Sequence, residues 1–131
     1  EELESSKIDN KVVFYDRVEN SQVSKFFKNK NVLLLPTLEE GNSKVILEAM
    51  SCGLIVMTND IECNKELIKH KSNGYLIKRN DVGIYKSYLS NIIRDNKLKY
   101  EFSTKAFSFA KKKYNIKRFL NLELLQLKKC N

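Results

Sequence analysis

The sequence predicts an α/β fold, a parallel sheet with helices on both faces followed by an all-helical C-terminal tail, and three observations carry that prediction. Short, almost wholly apolar runs recur at Val12-Val13-Phe14-Tyr15, Val32-Leu33-Leu34-Leu35 and Leu54-Ile55-Val56-Met57-Thr58. Such runs fit strands covered on both sides better than strands with one wet face. The intervals between them are long enough for the helical crossovers that parallel strands require. From about residue 81 the alternation stops, and only helical periodicities remain.

The elements follow in order. Glu1 to Ile8 reads as the tail of a helix with neither an initial methionine nor an N-cap, which predicts that the chain was cut within an element and that something precedes it. Val12 to Tyr15 is the first expected strand. Ser21 is placed to cap a helix through about Lys30, with Val23, Phe26 and Phe27 as its apolar stripe. The strand Val32 to Leu35 is stopped by Pro36, and a helix is expected from about Ser43 to Ser51, with Gly53 in the left-handed position that ends it. After the strand Leu54 to Thr58, Asn64 is expected to cap a short helix through about His70. Asn73-Gly74 signals a turn, and Tyr75-Leu76-Ile77 a short strand. Asp81 is the expected cap of a helix to about Arg94, with Tyr85, Leu89, Ile92 and Ile93 inward. Two further helices are expected, from about Leu98 to Tyr114 and from about Ile116 to Lys129.

At 131 residues the chain is expected to form a single domain over 1–131, incomplete as an enzyme. There is no run of about eighteen apolar residues and no signal-like start, so a cytoplasmic location is expected. Cys52, Cys63 and Cys130 lack CxxC spacing and are odd in number, which favours reduced thiols over a disulfide framework or a zinc site. His70 is the single histidine, so His clusters for metal are excluded, and it reads as an ordinary surface residue. The net charge of +8 is lopsided: residues 1–66 carry 8 basic and 12 acidic side chains, residues 67–131 carry 16 and 4. A half at +12 attracts anions if its lysines are more than solvated helix faces.

The most informative stretch is Glu40-Gly41-Asn42-Ser43-Lys44-Val45-Ile46-Leu47-Glu48-Ala49-Met50, followed by Ser51-Cys52-Gly53. It sets two carboxylates eight positions apart at a loop-to-helix junction after a strand, where open α/β sheets bind ligands. Glu48 is almost the only polar side chain in an apolar helix, which predicts a largely buried carboxylate in need of a partner. Lys44, one turn earlier, is one partner; a ligand with vicinal hydroxyls, such as a ribose, is another. The helix start, with Gly41-Asn42-Ser43, suits a phosphate or diphosphate. Glu40 suits sugar hydroxyls, or serves only the helix dipole.

These residues resemble a known family. The run Leu34-Leu35-Pro36-Thr37-Leu38-Glu39-Glu40-Gly41-Asn42-Ser43 through Leu47-Glu48-Ala49-Met50-Ser51-Cys52-Gly53 resembles the E-x7-E signature of retaining, nucleotide-sugar-dependent glycosyltransferases of family 4 with the GT-B fold. Similar stretches flank it: Val13-Phe14, Arg17-Val18, Thr58-Asn59-Asp60, Asn64-Lys65-Glu66-Leu67-Ile68, Asn73-Gly74-Tyr75-Leu76 and Asp81. The resemblance implies a Rossmann-like domain, the donor-binding C-terminal half of a two-domain enzyme whose N-terminal domain handles the acceptor. It implies that Glu40 is the catalytic-site contact to the donor sugar, that the amides of Gly41, Asn42 and Ser43 face sugar and diphosphate, and that Glu48 holds the ribose hydroxyls.

It also implies transfer with retention from a nucleotide-diphosphate sugar to a glycan or lipid-linked acceptor. No metal or other cofactor is implied, and activity requires the N-terminal domain. Asp16 stands where the family commonly has glycine, and Glu62-Cys63 replaces a frequent Gly-Gly pair, so backbone approaches a ligand less easily there. Two other readings stand beside this one. The chain is a non-catalytic nucleotide-sugar binding module, or a basic module that meets an anionic membrane or RNA through Lys111-Lys112-Lys113 and Lys117-Arg118, with Phe107, Phe109 and Tyr114 interleaved.

Overall fold

The structure, a computed structural model, describes residues 12–38, 43–78 and 81–113, and of Ser43 the backbone alone. The elements run α1 (Asn20–Phe27), β1 (Val32–Leu35), α2 (Ser43–Ser51), β2 (Ile55–Asn59), α3 (Glu62–Lys65), β3 (Gly74–Ile77), α4 (Val82–Arg94) and α5 (Asn96–Lys113). The three strands form one parallel sheet in the order β1-β2-β3. Val32 pairs with Ile55 and Leu35 with Thr58, while Val56 pairs with Gly74 and Asn59 with Ile77. All three strands therefore end at the same edge of the sheet.

Strand alternation sends side chains to two cores, one on each face. On the first face, Leu33, Leu35, Val56 and Leu76 pack with Ile46, Leu47, Ala49 and Met50 of α2, with Leu67 and Ile68, and with Ala106 and Ala110 of α5. On the second, Val32, Ile55, Met57, Tyr75 and Ile77 pack with Ile84, Tyr85, Leu89 and Ile92 of α4 and with Phe102. Helix α5 thus serves both cores, its Phe102 on one and its Ala106 and Ala110 on the other. All five residues of β2 are buried, as a central strand covered on both faces requires.

Two glycines have specific tasks. Gly53 takes φ +79 in the turn from α2 into β2, where Gly53 N–H donates to Met50 O at 3.0 Å. A Cβ on Gly74 would stand 2.8 Å from the Val56 carbonyl oxygen, so only glycine lets β3 lie against β2 there. Asp81 caps α4 as expected, its Oδ1 accepting from Ile84 N–H at 3.0 Å.

Five expectations need correction. Val12 to Tyr15 forms no strand: Val13 is 70% and Phe14 77% exposed, because no described strand lies beside them to supply a ladder. Tyr15 meets the edge of Phe26, ring centroids 4.6 Å apart. Helix α1 begins at Asn20, with no side-chain cap, so Ser21 lies inside it. Asn64 lies within α3, which ends at Lys65 rather than His70, and turns its amide inward instead of capping. Ile93 is 69% exposed, since Ile92 takes the inward position one residue away. Helix α5 starts at Asn96, not Leu98, because Asp95 Oδ1 accepts from Leu98 N–H at 3.0 Å and caps it earlier. The readings of Glu1 to Ile8, of Tyr114 and of the helix Ile116 to Lys129 lie outside the described residues.

Candidate functional site

The site is built at the carboxyl edge of the sheet. Strand β1 delivers the chain to Pro36 and Thr37; α2 then starts at Ser43 on that same edge and runs back along the first face. Its first-turn N–H groups lack helical acceptors and point outward, with the positive end of the helix dipole behind them. Ile46, Ala49 and Met50 are completely buried and fix the helix against the sheet.

Glu48 projects from α2 about 7.5 Å along the axis from Ser43, at 1.5 Å per residue. It is not the buried carboxylate that the apolar helix predicted. Its side chain is 33% exposed, since it lies on the flank of α2 between the buried positions Leu47 and Ala49. Lys44 Nζ stands 3.8 Å from Glu48 Oε1 and is itself 68% exposed, the i,i+4 pairing expected between them. A pair so exposed contributes roughly 0.3–0.5 kcal/mol and leaves the carboxylate able to accept from a ligand. Glu40, Gly41, Asn42 and the side chain of Ser43 lie outside the described residues.

Below the edge is a network of buried polar side chains that the sequence reading did not assemble. Thr58, Asn59 and Asn64 are 0%, 2% and 0% exposed. Thr58 Oγ1 donates to Leu35 O at 2.8 Å, and Asn59 Nδ2 to Thr37 O at 2.9 Å. Asn64 Nδ2 donates to Thr58 Oγ1 at 2.9 Å and to Asn59 O at 3.0 Å. Tyr85 of α4 completes it, donating from its hydroxyl to Asn59 Oδ1 at 3.0 Å. Burial raises the Tyr85 pKa, so the hydroxyl remains a donor at neutral pH. The available signal was Thr58-Asn59 closing an apolar strand at its carboxyl end, where polar side chains are expensive unless bonded.

Asn59 and Tyr85, with Leu34, Pro36 and Val82, also line an apolar hollow of about 270 Å³ on the second face. Beside the edge, Lys65 reaches Asp60 at 3.6 Å and Glu62 at 3.0 Å, and its pKa is raised by the Glu62 hydrogen bond first and the Asp60 charge next. The carboxylate of Glu62 is therefore engaged locally. Asp16 is exposed. Among the described residues no three of His, Cys, Asp and Glu gather as metal ligands, and no helix is long and apolar enough to cross a membrane.

Residues 1–109 match the family described as Glycosyl transferases group 1. The chain belongs to that family. This group 1 glycosyltransferase domain is 32% identical over 100 residues to an uncharacterized glycosyltransferase of Haemophilus influenzae, covering 76% of this chain and 28% of that protein. It is 33% identical over 78 residues to the UDP-Gal:alpha-D-GlcNAc-diphosphoundecaprenol alpha-1,3-galactosyltransferase of Escherichia coli, covering 60% of this chain and 20% of that one. The chain thus spans less than a third of the length of either relative.

Among solved structures it resembles the C-terminal domain of a group 1 glycosyl transferase of Francisella tularensis, with TM-score 0.71 at 21% identity over 86% of this chain and 60% of that one. It also resembles HepE of Anabaena crystallised with UDP-glucose, with TM-score 0.72 at 17% identity over 83% of this chain and 30% of that one. The fold is accordingly the Rossmann-like α/β architecture of a GT-B C-terminal domain.

Proposed function

We propose that this domain is the donor-binding half of a retaining, family 4 glycosyltransferase, which takes a nucleotide-diphosphate sugar and works with an N-terminal acceptor domain. The observation that carries this reading is α2, whose first turn opens at the carboxyl edge while Glu48 stands accessible on its flank. A nucleotide laid along the helix meets complementary groups in order. The diphosphate takes the N–H groups at the start of α2 together with the amides of Gly41, Asn42 and Ser43, and the ribose hydroxyls donate to Glu48. Glu40 accepts from the donor sugar. The leaving diphosphate is stabilised by preorganised N–H donors, and no metal or other cofactor is invoked.

The names of the relatives support the substrate class. The Escherichia coli relative is named for a UDP-sugar donor and a lipid-diphosphate acceptor, and HepE was crystallised with UDP-glucose. A glycan or lipid-linked acceptor and a cytoplasmic site at the membrane surface fit the lysines of α5, six against the single Glu101.

Isothermal titration of the chain with UDP, GDP and ADP, beside Glu48→Ala, tests the reading. Binding of one nucleotide that Glu48→Ala weakens at least about tenfold is expected, the loss of charge-assisted bonds to two hydroxyls. Equal affinity in both proteins refutes the ribose contact, and silence toward all three nucleotides refutes the donor site.

A further inference from the structure

We infer that Asn59 is a positioning residue for the donor site, tying the chain that leaves β1 to helix α4 through a single side-chain amide. The inference rests on the donor-site reading, and it concerns how the loop toward Glu40 is held rather than what the loop contacts.

The geometry is specific. The β1–β2 ladder stops at Leu35 and Thr58. Pro36 has no N–H to continue it, and Thr37 N–H turns back to Leu35 O at 2.8 Å. Beyond that point side chains take over from backbone. Thr58 points to the face of α2 and bonds the Leu35 carbonyl; Asn59 points to the face of α4 and bonds the Thr37 carbonyl. Two successive residues of β2 therefore grip two carbonyls of one outgoing chain, from opposite faces of the sheet.

Asn59 suits this task as no apolar residue would. Its planar amide has a donor side and an acceptor side fixed relative to each other. Nδ2 holds Thr37 O at 2.9 Å while Oδ1 accepts from Tyr85 at 3.0 Å. The Tyr85 bond sets the amide plane, and the amide plane sets Thr37, three residues before Glu40. An apolar side chain at this position, 2% exposed, would fill the space and leave the Thr37 carbonyl unheld.

The test separates positioning from bulk stability. In Asn59→Asp the acceptor for Tyr85 is kept while the donor to Thr37 is lost; Tyr85→Phe does the converse. Ser103→Ala removes a bond of 2.6 Å to Gly53 O at the opposite edge and serves as the control for destabilisation. Using the nucleotide that the wild type binds, Asn59→Asp is expected to weaken affinity about tenfold and Tyr85→Phe about threefold, with Ser103→Ala within about twofold.

Wild-type affinity in Asn59→Asp, or an equal loss in Ser103→Ala at matched Tm, overturns the inference. Should Asn59→Asp not fold, Tyr85→Phe decides it by the same criterion. A wild type that binds no nucleotide refutes the donor site alone. The Thr37 carbonyl ¹³C shift of the unliganded chain then judges the tie, which stands if Asn59→Asp displaces that resonance and falls if it does not.

Discussion

The two ends of the sheet are held by different means. At the amino end backbone bonds and close packing are joined by separate side-chain bonds: Ile55 N–H donates to Asn31 O and Lys71 N–H to Gly74 O, both at 2.9 Å, while Ser103 Oγ donates to Gly53 O at 2.6 Å and Asn73 Nδ2 to Leu67 O at 3.1 Å. Gly53 turns at positive φ, and Gly74 sits against the Val56 carbonyl with no room for a Cβ. At the carboxyl end four side chains, Thr58, Asn59, Asn64 and Tyr85, carry the bonds. The contrast is between an edge closed by backbone turns with separate side-chain bonds and one closed by a connected side-chain network. Side-chain bonds hold the outgoing chain at the carbonyls of Leu35 and Thr37, ahead of the start of α2.

The largest expected effect breaks the amino end. Gly74→Val drives a branched side chain into the Val56 carbonyl and Ile68, and should lower stability by about 3 kcal/mol, the upper part of the usual range for overpacking. Urea unfolding reads the loss; a change within about 0.5 kcal/mol would mean that β3 can move away from β2 at no cost.

At the carboxyl end, Asn64→Ala removes two donors' worth of bonding inside the core and leaves the Asn59 carbonyl and Thr58 hydroxyl short of a partner. About 2 kcal/mol of destabilisation is expected, by the same unfolding measurement. A neutral result would make the polar network incidental and erase the contrast between the ends.

The smallest effect is a pH dependence at His70. Its Nδ1 accepts from Leu76 N–H at 3.1 Å, beside Tyr75 and Tyr88. Partial burial first, and the Lys71 charge second, hold its pKa below the ordinary 6.5, with Asp60 opposing them. The unfolded chain therefore binds more protons in the window just under pH 6.5, so this contribution is full above that pH and is lost as pH falls through the lower folded value. His70→Gln should flatten that slope in unfolding curves taken from pH 7.5 to 5. An unchanged slope would assign it to other groups.

Much of the architecture was legible because apolar runs and capping residues act locally. The β1 and β2 runs, the Asp81 cap, the turn at Gly53 and the helix opening at Ser43 each depend on a few neighbouring residues. At Val12 to Tyr15, Asn64 and Glu48, expectation and structure part because the outcome depends on how the elements come together. Val12 to Tyr15 has strand composition, but a strand needs a neighbour to pair with. Asn64 has the chemistry of a cap, yet Thr58 and the Asn59 carbonyl, brought under it by the fold, are better partners than the start of a four-residue helix. Glu48 looked buried because its helix is apolar in sequence. In the fold its flank of α2 stays partly open to solvent, with the Glu48 side chain 33% exposed.

The sequence by itself determined the parallel α/β class, the helix opening at Ser43, and a glycosyltransferase resemblance that the match of residues 1–109 to Glycosyl transferases group 1 supports at that level. These follow from periodicity and motif, which are properties of neighbouring positions. Tertiary structure decided that Glu48 is accessible beside Lys44, and that Thr58, Asn59, Asn64 and Tyr85 converge on the carbonyls of Leu35 and Thr37. The physical reason is separation along the chain. Asn59 lies 22 residues from Thr37 and 26 from Tyr85, so their bonds exist only once the sheet has formed and α4 has packed on its second face.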